Sequence, residues 1–126
     1  MSATDGIPTS DYYGRCYTVY TEFSGAYANR IVSSYSDNGG VTWSSVIPVS
    51  PVPSAGHHHQ GCDITVDIYG WVRVVWANCT TNGQNSTKIH SAGLNQVPEE
   101  FLWSDASNHK VNTNGIRTSN LFNGIE

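Results

Sequence analysis

Three consecutive histidines form the densest chemical feature of the chain, in His57-His58-His59-Gln60-Gly61-Cys62-Asp63. In an extended segment His57 and His59 point to one side and His58 to the other. Two imidazoles at that spacing could hold a metal ion if a carboxylate such as Asp63 completed the set. The sequence offers no second ligating cluster, so neither a metal nor a cofactor is expected. The other use of the stretch is contact: His57, His58, His59 and Gln60 read as a polar loop entering a strand, where they would meet a ligand or partner. Protonation below about pH 6.5 would make that contact pH-sensitive.

Carboxylates are the second candidates. Glycoside hydrolysis needs two carboxyl groups about 5 to 10 Å apart, and Asp63, Asp67, Glu99 and Glu100 are available. Asp67 precedes an Ile-Tyr-Gly turn, where an Asp bonds the turn's own backbone. Glu99 and Glu100 follow Pro98 in a solvated loop, and no catalytic residue is assigned. Tyr12, Tyr13 and Tyr69 also sit at turns, where their rings could stack on sugar C–H surfaces. If Asp67 opposes Trp71 in a hairpin, Cys62 falls opposite Trp76 and Cys79 beyond it, so a bridge between those cysteines needs a bulge or another register. Asn78-Cys-Thr and Asn85-Ser-Thr are glycosylation sequons.

The elements that must position these residues are strands. No window carries apolar residues at helical spacing for several turns, and Gly, Pro, Asn and Ser recur every few positions. "RCYTVYTEF", "NRIVSSYS", "TWSSVIPVS", "CDITVD", "WVRVVWAN" and "TKIHSAG" read as short strands of an all-β chain. "WVRVVW" is apolar almost throughout, which predicts a strand covered on both faces.

The chain also repeats itself. "SDYYGRCYTVYT" overlays "VDIYGWVRVVWA", with Asp11 on Asp67, Gly14 on Gly70 and Tyr20 on Trp76, and "RIVSS" overlays "KIHSA" after a small insertion in the loop between them. Each copy reads as a four-stranded antiparallel meander of about 55 residues, the size of a β-propeller blade. The predicted division is blade 1 over 1–53, blade 2 over 54–113, and the opening hairpin of a third blade over 114–126, where "SNLFNGI" echoes "VDIYGW". Two blades cannot close a ring of about four to eight. Either further blades of a longer chain or identical subunits are expected to complete it.

Between the third and fourth strands of the first copy stands Ser36-Asp37-Asn38-Gly39-Gly40-Val41-Thr42-Trp43. Asp37 and Asn38 can accept bonds from backbone N–H groups, Gly39 and Gly40 permit positive φ, and Ser36 and Thr42 add turn-satisfying hydroxyls. Trp43 is expected to start the next strand as an apolar anchor. The stretch resembles the Asp-box of sialidase-like (BNR repeat) β-propellers, Ser-x-Asp-x-Gly-x-Thr-Trp, with Asn38 at the usual Asp position. That resemblance implies a structural turn on the face away from the family's active site. The second copy's counterpart, Leu94 to Phe101, keeps only the aromatic end. Family sialidases hold a substrate carboxylate with arginines, one in an aromatic-Arg-Ile-Pro motif, and use a Tyr-Glu pair as nucleophile. None of Arg15, Arg30, Arg73 and Arg117 is followed by Ile-Pro. Arg73 is expected to snorkel or to pair with Asp63.

Composition sets the setting. Only 13% of the 126 residues are charged, 38% are apolar, and the net charge is −4. With no run of basic residues, nucleic acid is excluded as a partner. No stretch is long and apolar enough to span a membrane as a helix. The start lacks the basic and apolar regions of a secretory leader. The Ser/Thr/Asn/Gly-rich, aromatic profile suits an extracellular, cell-surface or virion-surface protein. The expected function is a non-catalytic binding or scaffolding segment contacting a glycan or a protein. The alternatives are part of a sialidase-like glycoside hydrolase whose catalytic residues lie in other blades, or a two-blade lectin that closes a ring by oligomerisation.

Overall fold

The computed structural model describes residues 1–80, 86–97, 100–103 and 107–110. The expected third copy over 114–126, together with Asn85, Glu99 and Arg117, lies outside the described residues. Those described are all-β, with nine strands: β1 (Ser2–Thr4), β2 (Cys16–Glu22), β3 (Arg30–Ser36), β4 (Ile47–Pro48), β5 (His57–Val66), β6 (Val72–Thr80), β7 (Ser86–Val97), β8 (Glu100–Trp103) and β9 (Ser107–Lys110). They form two antiparallel sheets. The first has the order β1-β2-β3-β4; the second runs β5-β6-β7-β8, with β9 also pairing on β7.

The register carries the repeat into three dimensions. Cys16 pairs with Ser36 and Tyr17 with Tyr35, as Val72 pairs with Leu94 and Arg73 with Gly93. The sequence overlay of the second and third strands of each copy is therefore a structural equivalence. One pairing is corrected. Asp5, not Asp11, takes the place of Asp67: Asp5 N–H bonds Arg15 O and Gly14 N–H bonds Asp5 O, as Asp67 N–H bonds Trp71 O and Gly70 N–H bonds Asp67 O. Residues 6–11 are thus an insertion within the first hairpin, which a gapless overlay cannot register.

Three further elements depart from expectation. His57–Gln60 is not a loop but the first part of β5, laddered to Ala77–Thr80. Only Ile47 and Pro48 of "TWSSVIPVS" join the sheet, because the Ser44 side chain takes the bonds that a longer ladder would have made, donating to Ser45 O and accepting from Tyr35 N–H. In the second sheet β7 continues past the point where β3 stops and pairs antiparallel with β8, in place of the turn that follows β3. β9, opposite Lys88–Ser91, then occupies the place of β4.

The hairpin of β5 and β6 keeps the expected register from Asp63–Val75 to Val66–Val72, and shifts between Gln60 and Asp63. Gly61, at φ 67°, supplies the left-handed residue of this bulge, and Gly61 and Cys62 together oppose Trp76. The shift carries Cys79 to a position opposite His58, further from Cys62. All three cysteines are free thiols.

One core joins the two sheets. Tyr17, Val19, Ile31 and Val49 from the first meet Ile64, Val72, Val74, Trp76 and Ala92 from the second. β6 is fully buried on this side only. Val72 and Val74 have no exposure, whereas Arg73 and Val75, on the other face, are half-buried, so the expectation of a strand covered on both faces does not hold among the described residues.

Candidate functional site

The candidate residues separate to two opposite ends of the sheets. β5 is 10 residues long, which at about 3.3 Å per residue puts roughly 30 Å between its His57 end and the turn containing Tyr69. No single small ligand can touch both.

At the turn end, the Ser36–Trp43 turn is held by its own side-chain bonds. Ser36 Oγ donates to Asn38 Oδ1 at 2.9 Å and accepts from Gly40 N–H at 2.9 Å. Asn38 Oδ1 also accepts from Thr42 N–H, and Asn38 Nδ2 donates to Thr42 Oγ1 at 2.7 Å. Gly39 and Gly40 both have positive φ. Trp43 does not enter a strand: it folds back, its Nε1–H donating to Gly40 O, and remains 46% exposed. Asp37 reaches across to the β1–β2 turn, where its carboxylate takes two bonds from Arg15, at 2.6 and 2.8 Å. The Arg15 guanidinium lies 4.1 Å from the ring centres of both Tyr12 and Tyr35. Burial alone would lower its pKa, but the bonded Asp37 carboxylate raises it overall.

Asp5, fully buried, holds the same turn by accepting from Ile7 N–H and from Ser10 Oγ at 2.6 Å. Asp67 accepts from Tyr69 N–H and Trp71 N–H and pairs with Arg73 at 3.1 Å, not leaving Arg73 to Asp63. Asp63 instead accepts from Ile64 N–H. Sequence reasoning missed Asp5 and Arg15. The Asp-Gly pair at 5–6 was a turn signal, and Arg15 was a charged residue where its counterpart in the second copy is Trp71. Between the two turns lies a cleft of about 160 Å³, lined by residues 9–12 and 69–71. It brings Tyr12 and Tyr69 together; Tyr13 is exposed beside it in sequence.

At the other end, His59 turns inward and is 3% exposed. Its Nδ1 lies 2.7 Å from Ser50 Oγ, its backbone N–H bonds Asn29 O, and its carbonyl accepts from Thr21 Oγ1. This side chain ties the sheets together, which removes it from any surface contact. His57, His58 and Gln60 stay accessible. His58 Nε2 is 3.0 Å from Gln60 Oε1, and its ring lies 6.4 Å from that of exposed Phe23. Among the described residues no three His, Cys, Asp or Glu side chains gather to hold a metal.

Burial raises the thiol pKa of Cys62 and Cys79 and pushes the Tyr17 phenol well above its usual value. None of the three is poised as a nucleophile. No described helix is long and apolar enough to cross a membrane. Comparison of the chain with protein-family models, with curated proteins and with solved structures finds no match.

Proposed function

We propose that the chain is a non-catalytic binding or scaffolding segment of a sialidase-like β-propeller on an extracellular, cell-surface or virion-surface protein, with a glycan or a protein as partner. The observation that carries this reading is how the two repeats meet. The first sheet gives the shared core Tyr17 and Val19; their counterparts in the second, Arg73 and Val75, face away from it. The second sheet gives Val72, Val74 and Trp76, and their counterparts Cys16, Thr18 and Tyr20 face away in turn. Equivalent strands thus offer opposite faces. A sandwich of two sheets related by a two-fold axis would bury equivalent faces, whereas successive blades of a ring pack head to tail.

Among the described residues, the head-to-tail contact leaves Tyr20 on the outer face of the first sheet and Arg73 and Val75 on that of the second partly exposed, and a further blade of the same kind would fit each. Those blades come from the same polypeptide or from identical subunits. The bonded Asp-box in the turn between the third and fourth strands adds support, as does the use of Asp5, Asp37 and Asp67 within turns and ion pairs rather than in a facing pair. The test compares native mass by light scattering with the 13.7 kDa chain mass. A native particle of several chains, or a larger parent chain in the natural material, is the expected result. A stable, cooperatively unfolding 13.7 kDa monomer overturns the reading, because its open sheet faces would then need no cover.

A further inference from the structure

We infer that His59 is an acid-sensitive latch between the two sheets, holding them together while its ring is neutral and weakening their join as it takes up a proton. This goes beyond the binding reading above and stands whether or not a ring of blades closes.

Placement comes first. His59 belongs to β5 of the second sheet, yet three of its polar groups bond three separate segments of the first. Its N–H donates to Asn29 O at 2.9 Å in the β2–β3 turn, its carbonyl accepts from Thr21 Oγ1 at 2.8 Å on β2, and its Nδ1 meets Ser50 Oγ at 2.7 Å just past β4. The buried ring also lies 6.0 Å from that of Trp76 in the shared core. A change in this ring is therefore felt where the sheets meet.

Counting hydrogens then sets the protonation state. Ser50 is buried, and its hydroxyl has one proton to give and two lone pairs with which to accept. Ile31 N–H already donates to its Oγ at 2.9 Å. Among the described residues, His59 Nδ1 is the acceptor within reach of the hydroxyl proton, so the pair is satisfied when Ser50 donates and Nδ1 is bare, with the imidazole proton on Nε2. A proton on Nδ1 reverses this. Two N–H groups then point at Oγ and the hydroxyl proton is left without an acceptor in a buried site, the costly arrangement for a polar group.

The surrounding charges give the imidazolium little help. On β3 the Arg30 guanidinium donates to Ser50 O at 2.8 Å, so a cation already stands on the serine. Glu22, opposite Arg30 on β2, accepts from Tyr27 N–H. On β5 itself His57 and His58 precede the ring, and Asp63, beyond the bulge, accepts from Ile64 N–H. β6 contributes Trp76 and Asn78, neither of which titrates as an acid or base here, and His90 and Lys88 stand opposite these two in the β7 ladder. The charge bonded to Ser50 is thus positive and disfavours a second one beside it. Unfolded, a histidine titrates near pH 6.5. Stability that depends on a neutral His59 is fully present above that value and is lost as pH falls below it, because the unfolded chain gains the proton first. The unfolding constant should rise about tenfold between about pH 7.5 and 5.5.

Two measurements test this. Long-range proton–nitrogen correlation NMR on the unsubstituted folded chain should find His59 with Nε2 protonated and Nδ1 bare, and its signals should stay in place between about pH 7.5 and 5.5. Urea unfolding over the same range then compares that chain with His59→Asn, which keeps an acceptor for Ser50 but takes up no proton, and with His58→Asn, on the other face of β5. The tenfold rise should persist in His58→Asn and shrink to less than about threefold in His59→Asn. The inference is overturned if Nδ1 carries the proton in the folded chain at neutral pH, if His59 titrates there like an exposed histidine, or if His59→Asn keeps the full rise. The first two outcomes need no variant, so they decide the matter even where His59→Asn fails to fold. Light scattering at each pH reads assembly separately, so failure of the latch and failure of the ring are distinguishable.

Discussion

Asn38 shows how much one side chain can do in a tight turn. Its carbonyl oxygen accepts from both a hydroxyl and a backbone N–H, and its amide nitrogen donates to Thr42. A carboxylate retains the acceptor, and the Thr42 hydroxyl can reverse from accepting to donating. Asn38→Asp should therefore change stability by less than about 0.5 kcal/mol. Asn38→Ala loses every one of these bonds and should cost about 1 kcal/mol, a fall of roughly 4 °C in Tm by calorimetry. Arg15 allows no such exchange. Its planar head meets two rings and forks onto one carboxylate, a geometry that an ammonium cannot copy. Arg15→Lys, although it keeps the charge, should lower the urea-unfolding free energy by about 2 kcal/mol. A loss as small as that of an exposed Lys substitution would show that the fork and the stacking contribute little.

At the scale of elements, β2, β3 and β6 were legible because their apolar residues are dense and bounded by turn residues. Their register could be read from the repeat, since equivalent strands pair equivalently. The histidine stretch was not legible as a strand. Its polarity reads as a loop, and only the bulge at Gly61 and the contact of His59 with Ser50 explain how three imidazoles enter a sheet. Nor could a gapless alignment show that Asp5 replaces Asp11, because hydrogen bonding, not residue spacing, decides which Asp closes the hairpin. The two candidate ligand clusters looked compatible in sequence and lie at opposite ends of one strand. The bulge also carries a prediction. It separates Cys62 from Cys79, and burial raises the pKa of both thiols, so masses with and without reductant should be identical. A thiol whose folded pKa is raised stabilises the fold fully below the unfolded value of about 8.5, and that stability is lost as pH rises through the folded value. Tyr17, raised by burial as well, extends the loss above about pH 10. The urea midpoint should hold steady from about pH 7 to 8 and fall beyond pH 9. A midpoint that stays flat into the alkaline range would contradict the burial of these groups.

For the whole molecule, the decisive property is that the repeats meet through unlike faces. Tyr20, 40% exposed, sits on the open face of the first sheet, and half-buried Val75 on that of the second. If those faces complete the same head-to-tail contact between copies, a charge on either one blocks it. Tyr20→Lys and Val75→Lys should each leave the chain monomeric by light scattering and, with its sheet faces uncovered, less stable to urea than the unsubstituted chain. Mixing the two variants distinguishes the geometry. A Tyr20→Lys chain keeps its second-sheet face and a Val75→Lys chain keeps its first-sheet face, so one intact contact forms between them and growth stops at a heterodimer. An isologous contact, which pairs a face with itself, gives the opposite pattern: one variant would still self-associate, and mixing would add nothing. A heterodimer that appears only on mixing would show that unlike faces of the two sheets meet between copies, as they already do within one.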